Sequence, residues 1–431
     1  MEKIQHISVL KELEYNTDIY LVGGTVRDMV IGKEPTDIDI TVTCDADRFA
    51  KALADKIYGT PFLLDKVRGV FRVVSRDKSR PFYYDISLMR GEDIYTDLSL
   101  RDFTVDAMAI RLADDAGTII DPYNGQADIA KKCIRTLSQK SFEDDPLRLL
   151  RAFRLAGTLE FEIDTTTFHI IKEMSSALRR AAKERIRDEF FRLLSSPTSI
   201  KYLRQMDEAG LLCAVLTIPK ESDIKKGIIV FERLECLYNT LPTLFSPFDV
   251  DIGNYLQEKI ENEITNAALW KWISLFLPDH ITKELTRMAS RGLRLSNKAC
   301  RLIHLAVEYM QPSLLKKGIE DKRSIYRLFK AAGNDGLGLI LCQIASLSAV
   351  TDWHDRTIKN GKDAMAWYLR EYKKMKDFPL ITGDDLIVLF NITHGPMFRY
   401  LLDIVEENRA MGYIVTKNDA VSLLKKLLTN V

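Results

Sequence analysis

The chain of 431 residues carries six cysteines, Cys44, Cys133, Cys213, Cys236, Cys300 and Cys342, and none belongs to a C-x-x-C pair. Neither a zinc cage nor a disulfide framework is available from that spacing, and the six read as reduced core residues. Net charge is also lacking, because 62 Lys and Arg balance 61 Asp and Glu to a formal +1. A polyanion partner must therefore be held by a local patch. Long apolar runs are absent: stretches such as "GLGLILCQIASLSAV" stop short of a membrane span, and "MEKIQHISVL" has neither the cationic start nor the apolar centre of a signal peptide. A cytoplasmic location is expected. No repeat or low-complexity tract is found.

At 46% hydrophobic residues the composition supports two to four modest domains. The first 140 or so residues mix strand-like runs ("DIYLV", "DIDITV", "FRVVS", "FYYDIS", "TVDAMAIRL") with helical periodicity, as in "ADRFAKALADKIYG". From about Ser141 the apolar spacing is helical almost throughout, as in "DPLRLLRAFRLAGTL", "TTTFHIIKEMSSALRRAA" and "ERIRDEFFRLLSS". An α+β fold follows, with a mixed α/β start and an all-α remainder. Joints are expected at 195–199, 241–254 and 377–385. The run Leu178 to Arg187 holds five cations and one Glu; it fits a polyanion patch, and equally a solvated helix face.

The segment "DIYLVGGTVRDMVIGKEPTDIDITV" concentrates chemistry. Gly23 and Gly24 allow close backbone approach to a triphosphate, a helix start turns N–H groups towards anions, and Arg27 can add a charge-assisted contact. Asp37 and Asp39, two apart on a strand, present their carboxylates to one face. Unrelieved, that pair is repulsive; Mg²⁺ held by one or two carboxylates plus substrate phosphates is the usual remedy at a nucleotide site. Further along, Asp145 before Pro146 has the form of an N-cap followed by Pro at the first helical position, with Arg148 one turn on. A fixed carboxylate beside a guanidinium matches the amino-plus-ring-nitrogen edge of cytosine or adenine and rejects guanine and uracil. Arg151 and Arg154 extend the same stripe, and a solvated face over inward Leu149, Leu150 and Phe153 is the plain alternative.

These motifs, with "RDFTVDA" (Arg101 to Ala107), "DPYNGQADI" (Asp121 to Ile129), "DDPLRLLRAFRLA" (Asp144 to Ala156) and "ERIRDEFFRLL" (Glu184 to Leu194), resemble in order those of the class II tRNA nucleotidyltransferase and bacterial poly(A) polymerase family. The resemblance is strong over roughly the first 215 residues and looser beyond. It implies template-independent addition of nucleotides to an RNA 3′ end by a catalytic head (1–140), a helical neck with the base-reading motif (141–205), a body (206–355) and a tail (356–431). On that likeness Asp37 and Asp39 hold metal, Arg101 and Asp102 contact the phosphate and ribose of the nucleotide, Asp145 and Arg148 read its base, and Arg151 and Arg154 help hold it. The partners implied are tRNA and CTP or ATP, with tRNA gripped by a positive groove to which Leu178 to Arg187 and Lys417, Lys425 and Lys426 could contribute.

Three departures from the family pattern matter. Leu100 precedes Arg101 where a second arginine is usual, and Asp106 replaces an asparagine. Asp144 replaces the glutamate before Asp145. The third is the connection "LMRGEDIYTDLSL", which leaves only 16 positions from Asp85 to Arg101. Relatives that complete the CCA end, and poly(A) polymerases, carry a longer charged flexible loop there, and its absence marks members that add only two cytidines and leave the final A to a separate enzyme. CC addition to tRNA is therefore the leading expectation, complete CCA addition the next, then A addition or poly(A) synthesis, and a non-catalytic RNA-binding module the last. Asp85 itself fits a structural or a general-base role. His354-Asp355 is a lone dipeptide without the spacing of a phosphohydrolase site.

Overall fold

The computed structural model describes the chain apart from residues 1–4, 14–16, 67–68, 76–81, 115–116, 218–223, 277–289, 311–314, 316–320, 351–354 and 430–431. His354 lies outside the described residues. Contacts divide the chain into one compact unit of Met1–Leu193 with Gln205–Val215 and another of Leu194–Arg204 with Leu216–Val431.

The first unit is built on a seven-stranded mixed sheet: β1 (Ile19–Val22), β2 (Asp37–Val42), β3 (Thr60–Asp65), β4 (Val70–Val74), β5 (Tyr83–Leu88), β6 (Ala109–Arg111) and β7 (Ile119–Ile120). Their order is β3-β4-β5-β2-β1-β6-β7. Among the described residues of this sheet only β2 and β5 pair in parallel, with Asp39 beside Asp85 in register; the pair needs a crossover, supplied by the segment carrying α2 (Ala46–Ile57), β3 and β4. On β2 the residues alternate as the pleat requires: Ile38 and Ile40 are buried at 0% and 1% exposure, while Asp37 and Asp39 take the other face. Helix α2 starts where Asp45 accepts from the Asp47 and Arg48 amides and ends at Tyr58 in the left-handed region.

Two local expectations change. β3 was not marked by alternation; it is an edge strand with Phe62, Leu63 and Leu64 all exposed, so no buried face imposes a period on it. In "TVDAMAIRL" only Ala109–Arg111 is strand, because Thr104–Asp106 turns as a 3-10 helix. Asp128 holds that turn, accepting from Thr104 Oγ1 at 2.7 Å, and Gly125 is required beneath it, since a Cβ there would lie 2.3 Å from the Thr104 carbonyl oxygen.

The helices α3 (Ile94–Ser99), α4 (Gly125–Ala130), α5 (Gln139–Asp144), α6 (Arg148–Leu159) and α7 (Lys183–Leu194) follow. Leu149, Leu150 and Phe153 of α6 are fully buried, each contributing roughly 1.5–3 kcal/mol. The remainder is mostly helical, with two short strand pairs, Cys133–Ile134 with Glu162–Ile163 and Lys259–Glu261 with Ile264–Thr265. The joint expected at 241–254 is filled by helices Leu241–Phe245 and Asp249–Gln257, as Pro242 and Pro247 stand at or before helix starts instead of interrupting one. Of the cysteines, only Cys213 and Cys342 are buried, and Cys236 is exposed; a small thiol on a helix follows its face, whatever its general preference for cores.

Inside the second unit Lys271 and Glu235, each with a side chain 4% exposed, form an ion pair at 2.7 Å. The ammonium also donates to the carbonyls of Leu194 and Ser196, and the carboxylate accepts from the Ser199 and Ile200 amides at 3.0 and 3.1 Å. A buried charge pair survives only with such complete hydrogen bonding. Glu235→Gln, which leaves the ammonium without a counter-charge, is expected to destabilise this unit by about 3–5 kcal/mol. Joint replacement by Leu and Met should restore most of the loss. Urea unfolding followed by tryptophan emission reads this unit alone, since all four tryptophans follow residue 216.

Candidate active site

β1 runs directly into α1 (Gly23–Ile31). Gly23 sits at φ +62°, a conformation costly to any residue with a Cβ, and such a Cβ would stand 3.2 Å from Arg101 Nη1 and 3.3 Å from Asp39 Oδ2. The turn thus packs directly on the acidic strand. The Gly24 amide, at the helix start, donates to Asp39 Oδ2 at 3.1 Å, so one of the N–H groups expected to face a substrate anion already faces a carboxylate. Thr25, buried, accepts from the Asp39 amide at 2.7 Å and donates to the Asp37 carbonyl at 3.3 Å, pinning α1 to β2. Burial, and then the neighbouring Asp37 charge, pushes the Asp39 carboxyl up to about 7. Two carboxylates on one face with this mutual strain form a donor set suited to a hard dication.

Arg101 reaches the same turn. Its guanidinium is aimed by Asp97, buried at 1% exposure on α3, which accepts from Arg101 Nη2 at 2.8 Å on one oxygen and from the Arg90 amide and Nε at 3.0 and 3.1 Å on the other. Although burial opposes it, the charges of Arg101 and Arg90 hold the Asp97 carboxyl below the ordinary carboxylate range. The short connection after β5 therefore carries a helix, α3, closed by an ion triplet centred on the buried Asp97. Arg27 is bound on two sides, by Asp106 at 2.6 Å and by Asp28 at 2.8 Å. Asp106, the departure from asparagine, thus supplies a full counter-charge to Arg27 where an amide would offer none.

The Arg-Asp motif also connects to α6. Arg151 Nε lies 3.0 Å from Asp102 Oδ2, an ionic contact whose N–H is not aligned as a hydrogen bond, and Arg151 Nη2 lies 4.0 Å from Asp106. Against the pull of burial, Arg151, Arg148 and Arg101 keep the Asp102 carboxyl low. Arg154 is occupied by Glu189 of α7 at 2.9 Å, so Arg151 and Arg154 face carboxylates and do not form a solvated face. Arg148 donates to Ser141 Oγ at 2.8 Å and to the Leu100 carbonyl at 3.0 Å.

Asp145 keeps the geometry of an N-cap, with extended backbone at φ −144° and ψ 95°, ahead of a turn that leads into the helix. Helix α6 begins at Arg148, and Asp145 precedes a tight turn, its Oδ1 accepting from the Leu147 amide at 3.2 Å. Its carboxylate is held from across the site by Arg185 of α7, at 2.8 Å on Oδ2 and 3.4 Å on Oδ1. Sequence reasoning missed Arg185, Asp97, Thr25 and Arg72 as site residues. The basic run containing Arg185 is itself divided, a 3-10 turn over Ser175–Arg180 preceding α7, with Arg187 buried against Asp188. Lys417, another candidate cation, is paired with Asp385 at 2.6 Å.

A strand, glycine turn and helix leading to paired strand carboxylates, with arginines gathered round them, define a nucleotidyltransferase head. The profile of the Poly A polymerase head domain matches residues 19–135, and that of the probable RNA and SrmB-binding site of polymerase A matches residues 160–220. The CC-adding tRNA nucleotidyltransferase of Geobacter sulfurreducens is 30% identical over 95% of this chain and 92% of its own length. The A-adding tRNA nucleotidyltransferase of Deinococcus radiodurans is 26% identical, covering 94% of each chain. A CCA-adding enzyme solved with ATP superposes with a TM-score of 0.73 over 98% of this chain and 93% of its own, at 23% identity, a likeness of fold. The chain belongs to the tRNA nucleotidyltransferase and poly(A) polymerase family.

Asp97→Asn is expected to lower kcat/KM for CTP about 100-fold by releasing Arg101, and stability by about 2 kcal/mol, since Arg90 is partly exposed. The stability that Asp97 contributes is present above the ordinary carboxylate range near pH 4 and is lost as pH falls through its lowered value. Acid unfolding curves of the two proteins should accordingly converge at low pH. Parallel curves would refute this.

Proposed function

We propose that the protein is a template-independent tRNA 3′-end nucleotidyltransferase that adds two cytidines from CTP and releases pyrophosphate. The observation that carries the CC reading is the connection from Asp85 to Arg101, short in sequence and closed by Asp97. The 30% identity to a CC-adding relative supports it. Absence of any helix long and apolar enough to cross a membrane, among the described residues, accords with a cytoplasmic setting, where immature tRNA is found.

Asp37 and Asp39 would hold Mg²⁺, which when bound lowers the pKa of the primer hydroxyl and neutralises phosphate charge. Gly23 and Gly24 let the triphosphate approach the backbone. Arg101, held by Asp97, presents a guanidinium over that turn to keep the phosphates in line with the attacking 3′ oxygen. Asp102 faces the ribose, and Arg151 tethers it to α6. Arg27 and Arg154, each neutralised by a carboxylate, act chiefly by fixing α1 and α6. Asp145 accepts from the cytosine amino group and Arg148 donates to its ring nitrogen and carbonyl; guanine and uracil present the opposite polarity. Arg185 fixes the carboxylate of Asp145 for that task.

The same edge chemistry admits adenine, so complete CCA addition is the second reading. Purified protein given tRNA lacking its last three nucleotides, with Mg²⁺ and CTP, ATP or both, is expected to lengthen it by two with CTP and no further with ATP. Growth by three would overturn the CC reading in favour of CCA addition. Growth with ATP alone would point to A addition, and no growth with any nucleotide to a binding module.

Loss of Arg185 should loosen base choice more than it slows chemistry. Arg185→Gln is expected to raise misincorporation of UMP relative to CMP by about tenfold, read from single-nucleotide extension in UTP and CTP; an unchanged ratio would sink this role.

A further inference from the structure

Asp85 lies beside Asp39 on the neighbouring strand and on the same face, so three carboxylates are brought together at the site. The third is not left open. Arg72 on β4 stands opposite Asp85 in register and closes a fork on it, Nε to Oδ1 and Nη2 to Oδ2, both at 2.6 Å. The guanidinium carbon also lies 5.0 Å from the centroid of the Tyr83 ring, a cation–π contact. Side-chain exposures of 26% for Arg72 and 15% for Asp85 leave the pair partly shielded from solvent. A bidentate guanidinium uses the lone pairs through which a carboxylate would meet a metal. Among the described residues no group of three or more His, Cys, Asp or Glu is arranged to hold a metal ion.

We propose that Arg72 sets the metal complement of this enzyme: it serves as a built-in cation for Asp85 and leaves Asp37 and Asp39 as the strand carboxylates open to a dication. The inference rests on the reading that those two aspartates bind the metal. Arg72 thereby limits charge repulsion at the site permanently, with or without nucleotide. It also withdraws Asp85 from proton transfer, since both its oxygens already accept short charge-assisted hydrogen bonds.

Manganese(II) binding to the full-length protein, followed by the EPR signal of free Mn²⁺, tests this without reference to catalysis. Asp85→Asn should change Mn²⁺ affinity by no more than about threefold, Arg72→Gln should tighten it by about fivefold or more, and the double variant should lose that gain. Weakening of about tenfold in Asp85→Asn would make Asp85 a metal ligand and overturn the proposal. So would an Arg72→Gln protein that binds no tighter, or a gain that persists without Asp85. Asp85→Asn decides alone if Arg72→Gln fails to fold. Asp39→Asn separates the underlying reading: loss of binding supports it, and retained binding overturns it independently of Arg72.

Discussion

Two like charges on one face of a strand are the constraint from which the rest of the head follows. Asp37 and Asp39 cannot be moved apart, because the pleat fixes their spacing, and Asp39 cannot turn away, because Gly24 and Thr25 bind its side chain and its amide. The surroundings answer with guanidinium groups, and each of these is anchored by a further carboxylate: Arg101 by Asp97, Arg72 by Asp85, Arg27 by Asp106. Positive charge is delivered at fixed points, without long flexible side chains having to be ordered when substrate arrives.

The region proposed to read the base follows the same logic with the signs exchanged. Here the scarce element is a carboxylate in the right orientation, and arginines supply the restraint. Asp145 is gripped by Arg185, and Asp102 lies against Arg151. Selectivity for a base edge without a nucleic-acid template requires that donor and acceptor stay put to within a fraction of an ångström. A ring of ion pairs, partly withdrawn from water, provides that stiffness where a solvated side chain would not.

Much of this is legible in the sequence itself. The Asp-x-Asp pair, the glycine turn and the first-turn arginines are local patterns, and local patterns survive in a sequence. Asp85 as a strand residue was legible too. What was hidden depended on register or on distant elements: Arg72 meets Asp85 only because β4 and β5 pair at that offset, and Arg185 meets Asp145 from 40 residues away. Asp97 read as one acid among several in a polar connection; its burial was the missing information. The N-cap geometry of Asp145 was legible from the Asp-Pro pair, but the second duty of its carboxylate, holding Arg185, was not. The edge strand Thr60–Asp65 left no periodic trace because neither of its faces is covered.

The parallel pairing of β2 with β5 has an effect on the order in which the protein comes into being. Asp39 and Asp85 are neighbours in the sheet although 46 residues separate them in the chain, and the intervening helix and two strands must cross over before they meet. Closure of so long a loop is slow relative to formation of the β1, turn and α1 segment. On the ribosome, the acidic face remains half built until the segment ending at Leu88 has emerged. Arg72 has emerged by then and can meet Asp85, whereas Arg101 and its anchor Asp97 have yet to follow.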